Sequence, residues 1–125
     1  MESISPNIFV KDINETIKFY AYLGFETVMT VPEDGDLDWA MMRYGSVNFM
    51  FQTFESLGAE LPELSRQNGG ALLLYIQIKG IRDFHDKIKD KVEVIKELEK
   101  TFYGATEFSI LDNNNFILTF AEDEK

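Results

Sequence analysis

Cysteine does not occur in this 125-residue chain, and histidine occurs once. The absence of cysteine excludes disulfide bonds, thiolate metal ligands and a cysteine nucleophile. No run of 18 apolar residues is present, so the sequence predicts no membrane-spanning helix. The first residues, Met1-Glu2-Ser3-Ile4, lack the basic and apolar regions of a signal peptide, and we therefore expect a cytoplasmic protein.

Basic residues are few relative to acidic ones. The chain has 12 Lys and Arg against 22 Asp and Glu, which gives a formal net charge of −10. This charge disfavours nucleic acid and anionic membranes as partners and favours a cationic ligand. Solubility alone would also explain it, because much of the acid lies in an expected loop at residues 33–36 and at residues 122–124.

The two halves of the chain carry one pattern with an offset of 68 to 69 residues. Residues 8–13, Ile-Phe-Val-Lys-Asp-Ile, match residues 76–81, Ile-Gln-Ile-Lys-Gly-Ile, and residues 42–51 align with residues 111–120. A repeat of this length indicates two copies of one supersecondary module. Two such modules can close around a shared cleft, where we expect the function to reside.

Apolar alternation and turn residues predict the same order of elements in each half. Strands are expected at residues 4–10, 25–31, 38–44 and 47–53, with a helix that begins after Asp12 or Asn14 and ends before Gly24. In the second half we expect strands at residues 71–78, 92–98, 107–111 and 116–121, and a helix at residues 81–88. The sequence therefore predicts an α+β fold in a single domain. Module 1 spans about residues 4–54, a linker about 55–70 and module 2 about 71–122.

Alternation along the strands separates an apolar face from a face of mixed polarity. Pairing across Gly45-Ser46 places Trp39, Met41 and Arg43 on the mixed face. The same rule in the second hairpin adds Phe108, Ile110 and Asp112. An ordinary exposed sheet face is the alternative, but several aromatic side chains on one solvated face would be costly, so we favour a cleft. The candidate ligand-binding residues are Asn7, Phe9, Trp39, Met41, Arg43, Asn48, Met50, Gln52, Tyr75, Gln77, Phe108 and Thr119.

The motif Val-Lys-Asp-Ile…Phe-Tyr…Leu-Gly-Phe at residues 10–25 resembles the opening of the glyoxalase, bleomycin-resistance and extradiol-dioxygenase (vicinal oxygen chelate) superfamily. Residues 112–120 resemble its closing segment, Asp-Pro-Asp-Gly-(Tyr/Phe)-x-(Ile/Leu)-Glu-(Leu/Phe). The resemblance covers nearly the whole chain. It implies two βαβββ modules that form a curved, partly open eight-stranded mixed sheet with helices on the convex side.

Metalloenzymes of that superfamily hold a divalent metal with His, Gln or Glu on the first and last strands of each module. The matching positions here are Ser5, Met50, Leu73 and Thr119, none of which is a good ligand for zinc, nickel or iron. His85 lies on a helix, where we expect it to face solvent or to cap packing. The resemblance therefore implies the metal-free, bleomycin-resistance-like branch, whose members dimerise and sequester a bulky cationic drug. We expect no metal, no cofactor and no catalytic residue.

Two classes of function stay open. The first is non-catalytic binding of a small organic molecule by a homodimer, and the resembled branch implies that this molecule is a cation. The second is an enzyme of the same superfamily, a glyoxalase- or dioxygenase-type lyase or oxidoreductase with an atypical or absent metal site. Asp112 with Arg43 is a candidate acid/base pair, although a structural ion pair is the favoured interpretation. The residues at the metal positions favour binding.

Overall fold

The structure is a computed structural model that describes residues 1–124. It divides into two compact units, Met1–Asn68 (unit 1) and a second that starts at Gly69 (unit 2). Unit 1 contains β1 (Asn7–Val10), α1 (Ile13–Tyr22), β2 (Glu26–Val31), β3 (Trp39–Tyr44), β4 (Val47–Thr53) and the short α2 (Phe54–Leu57). Unit 2 contains β5 (Leu73–Gln77), α3 (Ile81–Ile88), β6 (Glu93–Lys100), β7 (Ala105–Leu111) and β8 (Ile117–Asp123).

The predicted βαβββ order is confirmed in both halves, and the eight strands form two four-stranded sheets. Sheet A has the order β1-β4-β3-β2, and sheet B has the equivalent order β5-β8-β7-β6. In each sheet the first strand pairs in parallel with the last one, and the other pairs are antiparallel. The two sheets are therefore mixed, as predicted, with the same topology.

Helix α1 begins at a side-chain cap. Asp12 Oδ1 accepts a hydrogen bond from the backbone amide of Glu15 at 3.1 Å, which makes Asp12 the N-cap. Asn14, the other candidate, instead binds the β2–β3 connection. Its side chain donates to the Gly35 carbonyl and accepts from the Leu37 amide. The two polar residues thus fix the start of the helix and the loop beside it.

The core of unit 1 is an aromatic cluster around Tyr20 of α1. The Tyr20 ring lies 4.8 Å from Phe51, 5.6 Å from Phe25 and 5.7 Å from Phe49, measured between ring centroids. All four side chains are buried. Burial of each such ring contributes roughly 1.5–3 kcal/mol to folding, so this cluster holds α1 against sheet A.

The core of unit 2 lies between α3 and sheet B. Phe84 of α3 packs on Phe120 at 4.9 Å between ring centroids, and Phe120 packs on Phe108 at 5.3 Å. His85 also belongs to this core, since its ring lies edge-on to Phe108 and its Nε2 is 2.8 Å from Glu97 Oε1. Of the two expectations for His85, a packing role is therefore correct and a solvent-facing ring is wrong.

Helix α3 receives its N-terminal cap from a distant strand. The Glu122 carboxylate on β8 accepts hydrogen bonds from the backbone amides of Gly80 and Ile81 at 3.1 and 3.0 Å. A carboxylate at this end also complements the positive pole of the helix dipole. Glu122 thus joins the last strand of the sheet to the start of the helix that covers it.

The segment after α2 is ordered by one arginine. The Arg66 guanidinium donates to the carbonyls of Leu61, Leu64, Gly58 and Glu60, at distances between 2.6 and 3.1 Å. Five fixed donors make arginine suited to gathering several carbonyl groups at once. This part of the predicted linker therefore has a defined course within unit 1.

Among residues 1–124, no helix is long and apolar enough to cross a membrane. The expected cytoplasmic location stays a prediction.

Candidate functional site

The mixed-polarity face of sheet A has the predicted register. Trp39 pairs with Gln52, Met41 with Met50, and Arg43 with Asn48 across β3 and β4. On the other side of β4, Asn7 pairs with Met50 and Phe9 with Gln52. Because side chains alternate along strands, paired residues share a face, and all eight predicted residues of unit 1 lie together.

Two hydrogen bonds orient the polar groups of this face. Asn7 Nδ2 donates to Gln52 Oε1 at 3.0 Å, and Arg43 Nε donates to Asn48 Oδ1 at 3.1 Å. Neither Asn7 Oδ1 nor Gln52 Nε2 makes a hydrogen bond within residues 1–124. The amide pair therefore presents one acceptor and one donor in a fixed orientation.

Two residues of β2 extend the same face, and the sequence analysis missed them. Met29 pairs with Met41 and Val31 with Trp39, after an irregularity in the register between Thr27 and Met29. Met29 and Val31 are 58 % and 51 % exposed. The irregularity changes the alternation of β2, and a simple count along the strand cannot locate it. Sheet A thus has amides on β1 and β4, exposed apolar side chains on β2 and half-buried apolar side chains on β3.

In sheet B, the corresponding face carries Tyr75, Gln77 and Thr119, as predicted. Tyr75 pairs with Thr119 and Gln77 with Ala121 across β5 and β8. The Thr119 and Ser109 hydroxyl oxygens are 2.8 Å apart, and both residues are buried. Ser109 was not a predicted site residue, although it lies beside one.

The predicted place of Phe108 on this face is wrong. Phe108 pairs with Phe120, and Ile110 pairs with Leu118, on the side of the sheet that α3 covers. The connection after β7 has five residues, 112–116, because Leu111 pairs with Ile117. The prediction used the rule of the two-residue turn, and a change of one residue in register moves every side chain to the other face.

Asp112 was placed on the mixed face by the same rule, and it instead organises this connection. Its Oδ1 accepts hydrogen bonds from the backbone amides of Asn114 and Phe116 at 2.8 and 2.9 Å. Asparagine and aspartate commonly stabilise turns in this way. The carboxylate that was a candidate acid or base thus has a structural role in the turn.

Glu107 takes the place on the mixed face that was assigned to Phe108. Its Oε2 accepts hydrogen bonds from the hydroxyls of both Tyr75 and Tyr103, each at 2.5 Å. The hydrogen bond to Glu107 is the main cause that raises the pKa of Tyr75 and the pKa of Tyr103 above the ordinary tyrosine value. Both phenols therefore stay protonated at neutral pH and act as donors to the carboxylate.

The positions that match the metal ligands of related metalloenzymes do not fit a transition metal. These positions are Ser5 and Met50 in unit 1 and Leu73 and Thr119 in unit 2. Because none of the four is His, Asp, Glu or Cys, the set offers no imidazole, carboxylate or thiolate. The imidazole of His85 packs against Phe108 on the opposite side of sheet B. Within residues 1–124, no group of three or more His, Cys, Asp or Glu side chains could hold a metal ion.

Two βαβββ units, each with its first and last strands paired in parallel, define a class of α+β proteins built from a duplicated module. The model of the glyoxalase/bleomycin resistance protein/dioxygenase superfamily matches residues 4–120. The chain belongs to this superfamily.

Solved structures share the fold over nearly the full chain. TioX from Micromonospora sp. ML1 has a TM-score of 0.80 at 12 % identity, covering 98 % of this chain and 99 % of that one. A bleomycin resistance determinant encoded on transposon Tn5 has a TM-score of 0.70 at 19 % identity, covering all of both chains. A bleomycin-binding protein solved with bleomycin has a TM-score of 0.68 at 19 % identity, covering 99 % and 100 %. At these identities the likeness shows the fold alone, and no curated protein matches the sequence.

Proposed function

We propose that this protein binds a small organic molecule without transforming it, on the mixed-polarity faces of its sheets. Membership of a superfamily that includes bleomycin-resistance proteins supports a binding role. One structural neighbour, similar in fold, is described in complex with bleomycin. The observation that carries the proposal is the composition and order of the face of sheet A.

The polar part of that face is already oriented for a ligand. Because Gln52 Oε1 is held by Asn7, its Nε2 has a fixed direction and can donate to a ligand carbonyl or hydroxyl. Asn7 Oδ1 can accept from a ligand N–H or O–H. Groups that are ordered before binding lose less conformational entropy when the ligand arrives, which favours affinity.

The apolar part of the face can hold a planar group. Phe9, Trp39, Met41 and Met50 are half-buried beside the exposed Met29. A ligand ring stacked on Trp39 would gain about 0.5–1.5 kcal/mol beyond the burial of its area. A few polar groups among aromatic and apolar side chains is the usual composition of a small-molecule site.

The hydrogen bonds of the reactive groups, and the residue types at the metal positions, support a binding role rather than catalysis. The four metal positions hold no suitable donor. The Asp112 carboxylate accepts amide hydrogen bonds within its turn, and Arg43 donates to Asn48. Neither member of the candidate acid/base pair is poised for proton transfer.

The net charge of −10 favours a cationic ligand. An acidic protein raises the local concentration of cations and speeds their association, and this rate falls as salt rises. Tyr75, Gln77 and Thr119 are the proposed binding residues on the face of sheet B. We expect the partner to be a small molecule rather than nucleic acid or a membrane.

Trp39 is the only tryptophan, so its fluorescence reports on the face of sheet A. The test is titration with bleomycin and with a panel of planar organic cations. We expect at least one compound to change the emission to saturation, and Gln52→Ala to weaken its binding about tenfold. Trp39→Phe removes the probe and is therefore compared by calorimetry, where we expect weaker binding.

Gln67→Ala is the matched control, because Gln67 is exposed and lies outside the sheets. It should bind as the parent does. If no compound in the panel changes the Trp39 emission, the proposed ligand class is wrong. If Gln52→Ala and Trp39→Phe bind as tightly as the parent, the ligand does not use the face of sheet A.

A further inference from the structure

Glu107 combines burial, charge and unused hydrogen-bonding capacity. It is 9 % exposed, and both tyrosine hydroxyls bind the same carboxylate oxygen, Oε2. Its Oε1 makes no hydrogen bond within residues 1–124. A carboxylate removed from water is costly unless a cation or further donors compensate it. The two phenols supply part of this compensation, and one oxygen remains for an additional partner.

Lys96, a lysine whose charge interacts with Glu107, is already paired with another residue. Lys96 Nζ lies 2.8 Å from Glu99 Oε1. Glu99 is the main cause that raises the pKa of Lys96, and Glu107 contributes less. Among residues 1–124, no cationic side chain lies within salt-bridge distance of Glu107. The donors in direct contact with the Glu107 carboxylate are thus the two neutral phenols.

The fold does not require this arrangement, as unit 1 shows. By strand register, the position of Glu107 in sheet B corresponds to Trp39 in sheet A, and that of Tyr75 corresponds to Asn7. The equivalent places in sheet A carry an aromatic ring and a neutral amide. A buried carboxylate with two phenols is therefore a particular property of unit 2, with no counterpart in the repeated module.

We infer that Glu107, Tyr75 and Tyr103 form a recognition site for an organic ammonium, amidinium or guanidinium group. An N–H of the cation would donate to Glu107 Oε1, and the half-exposed rings of Tyr75 and Tyr103 would flank it. Tyrosine faces attract organic cations, and an N–H bond to a carboxylate is among the stronger hydrogen bonds in proteins. This inference rests on the proposed function for the ligand being a small molecule, and it names the ligand's charged group.

Benzamidinium and benzamide are suitable probes because they have nearly the same shape and differ in charge. Their binding to the ¹⁵N-labelled full chain can be followed by NMR. We expect benzamidinium to shift the amide signals of Tyr75, Tyr103 and Glu107, and to bind at least about tenfold more tightly than benzamide. Equal binding of the two probes, no binding of benzamidinium, or shifts confined to unit 1 would each overturn the inference.

Glu107→Gln removes the charge and keeps the size of the side chain. We expect it to weaken benzamidinium at least about tenfold and to leave benzamide unchanged. Glu93→Gln is the matched control, since it makes the same change at an exposed residue of β6 and should bind as the parent does. Unchanged benzamidinium binding by Glu107→Gln would contradict the site. If that variant does not fold, the comparison of the two probes on the parent protein decides.

The two proposals can fail separately. The proposed function is tested by the Trp39 titration and the Gln52→Ala variant of sheet A. The cation site is tested by benzamidinium binding and the Glu107→Gln variant of sheet B. Loss of the benzamidinium site together with a normal Trp39 titration would remove this inference alone. A benzamidinium site without any response at Trp39 would remove the proposed use of sheet A alone.

Discussion

At the scale of single residues, Gly24 occupies a position that leaves no room for a side chain. Its φ is +107°, and a Cβ there would lie 2.7 Å from Tyr44 Cε2. Strain of this kind costs about 1–3 kcal/mol, so we expect Gly24→Ala to lower the free energy of unfolding by that amount. Urea denaturation followed by circular dichroism measures it.

Gly70→Ala is the control for that substitution. Gly70 has no positive φ, and within residues 1–124 no heavy atom beyond its two chain neighbours would lie within 4 Å of the Cβ that alanine adds there. The substitution should change the free energy of unfolding by less than about 0.5 kcal/mol. Equal effects of the two substitutions would show that the close approach of Tyr44 does not constrain Gly24.

Glu124 is the residue with the clearest expected effect of pH. Hydrogen bonds from Arg82 and from the Thr106 hydroxyl lower its pKa from 4.5 to about 2. A carboxylate with a lowered pKa stabilises the fold above its unfolded-state pKa, and this contribution is lost as pH falls through the folded-state value. We therefore expect it to be present above pH 4.5 and to disappear as the pH approaches about 2.

Glu124→Gln should reduce the loss of stability over this pH range, measured by urea denaturation at a series of pH values. Glu63→Gln is the control, because Glu63 is exposed and lies in the segment of chain that connects sheet A to sheet B. It should keep the parent's pH profile. If Glu124→Gln also keeps that profile, the pair with Arg82 does not form in solution.

Helix α3 provides a test at the scale of one element. The carboxylate of Glu122 caps two backbone amides at its start, and a lost cap of this kind typically costs about 1 kcal/mol. Glu122→Ala should therefore lower the free energy of unfolding by about 1 kcal/mol. Glu93→Ala removes an exposed glutamate of β6 and should change it by less than about 0.5 kcal/mol. Similar values for the two variants would contradict the capping role.

Elements and their order were predictable from the sequence because the signals are local. Asp12 precedes an apolar helix pattern, Gly45-Ser46 joins two alternating segments, and α3 has the bounds that were predicted. The β3–β4 register follows from its two-residue turn, and the site residues of sheet A were correspondingly found together.

The face of sheet B was harder to predict because it depends on the length of one connection. Asn115 adopts a left-handed backbone with φ of +65°, and the connection contains five residues. A connection with an odd number of residues, in place of the two-residue turn that the prediction assumed, exchanges the two faces of β7. Glu107 and Ser109 therefore replace Phe108 and Ile110 on the mixed face. Apolar content alone could not reveal this, because both alternating sets of β7 are buried.

For the whole molecule, we predict a homodimer. Strand β2 lies at the edge of sheet A, and its residues 27–31 carry no charge, with Val28 43 % exposed. Edge strands without charged side chains are prone to pair with another chain. Light scattering at micromolar concentration should give twice the chain mass of 14.4 kDa.

Val28→Lys should lower the dimer fraction. Ile95→Lys is the control, because Ile95 is about as exposed as Val28 and also lies on an edge strand, β6. Strand β6 already carries several charged side chains, so this substitution should leave the dimer fraction unchanged. A monomeric mass for the parent protein would contradict the prediction of a dimer.

The most direct test of the central claim is native mass spectrometry of the full chain with the compound that changes the Trp39 emission most. Binding without turnover predicts one intact ligand mass per chain at saturation, and release of the ligand with an unchanged mass after prolonged incubation. A released product of altered mass, formed by the parent protein and not in its absence, would contradict the account.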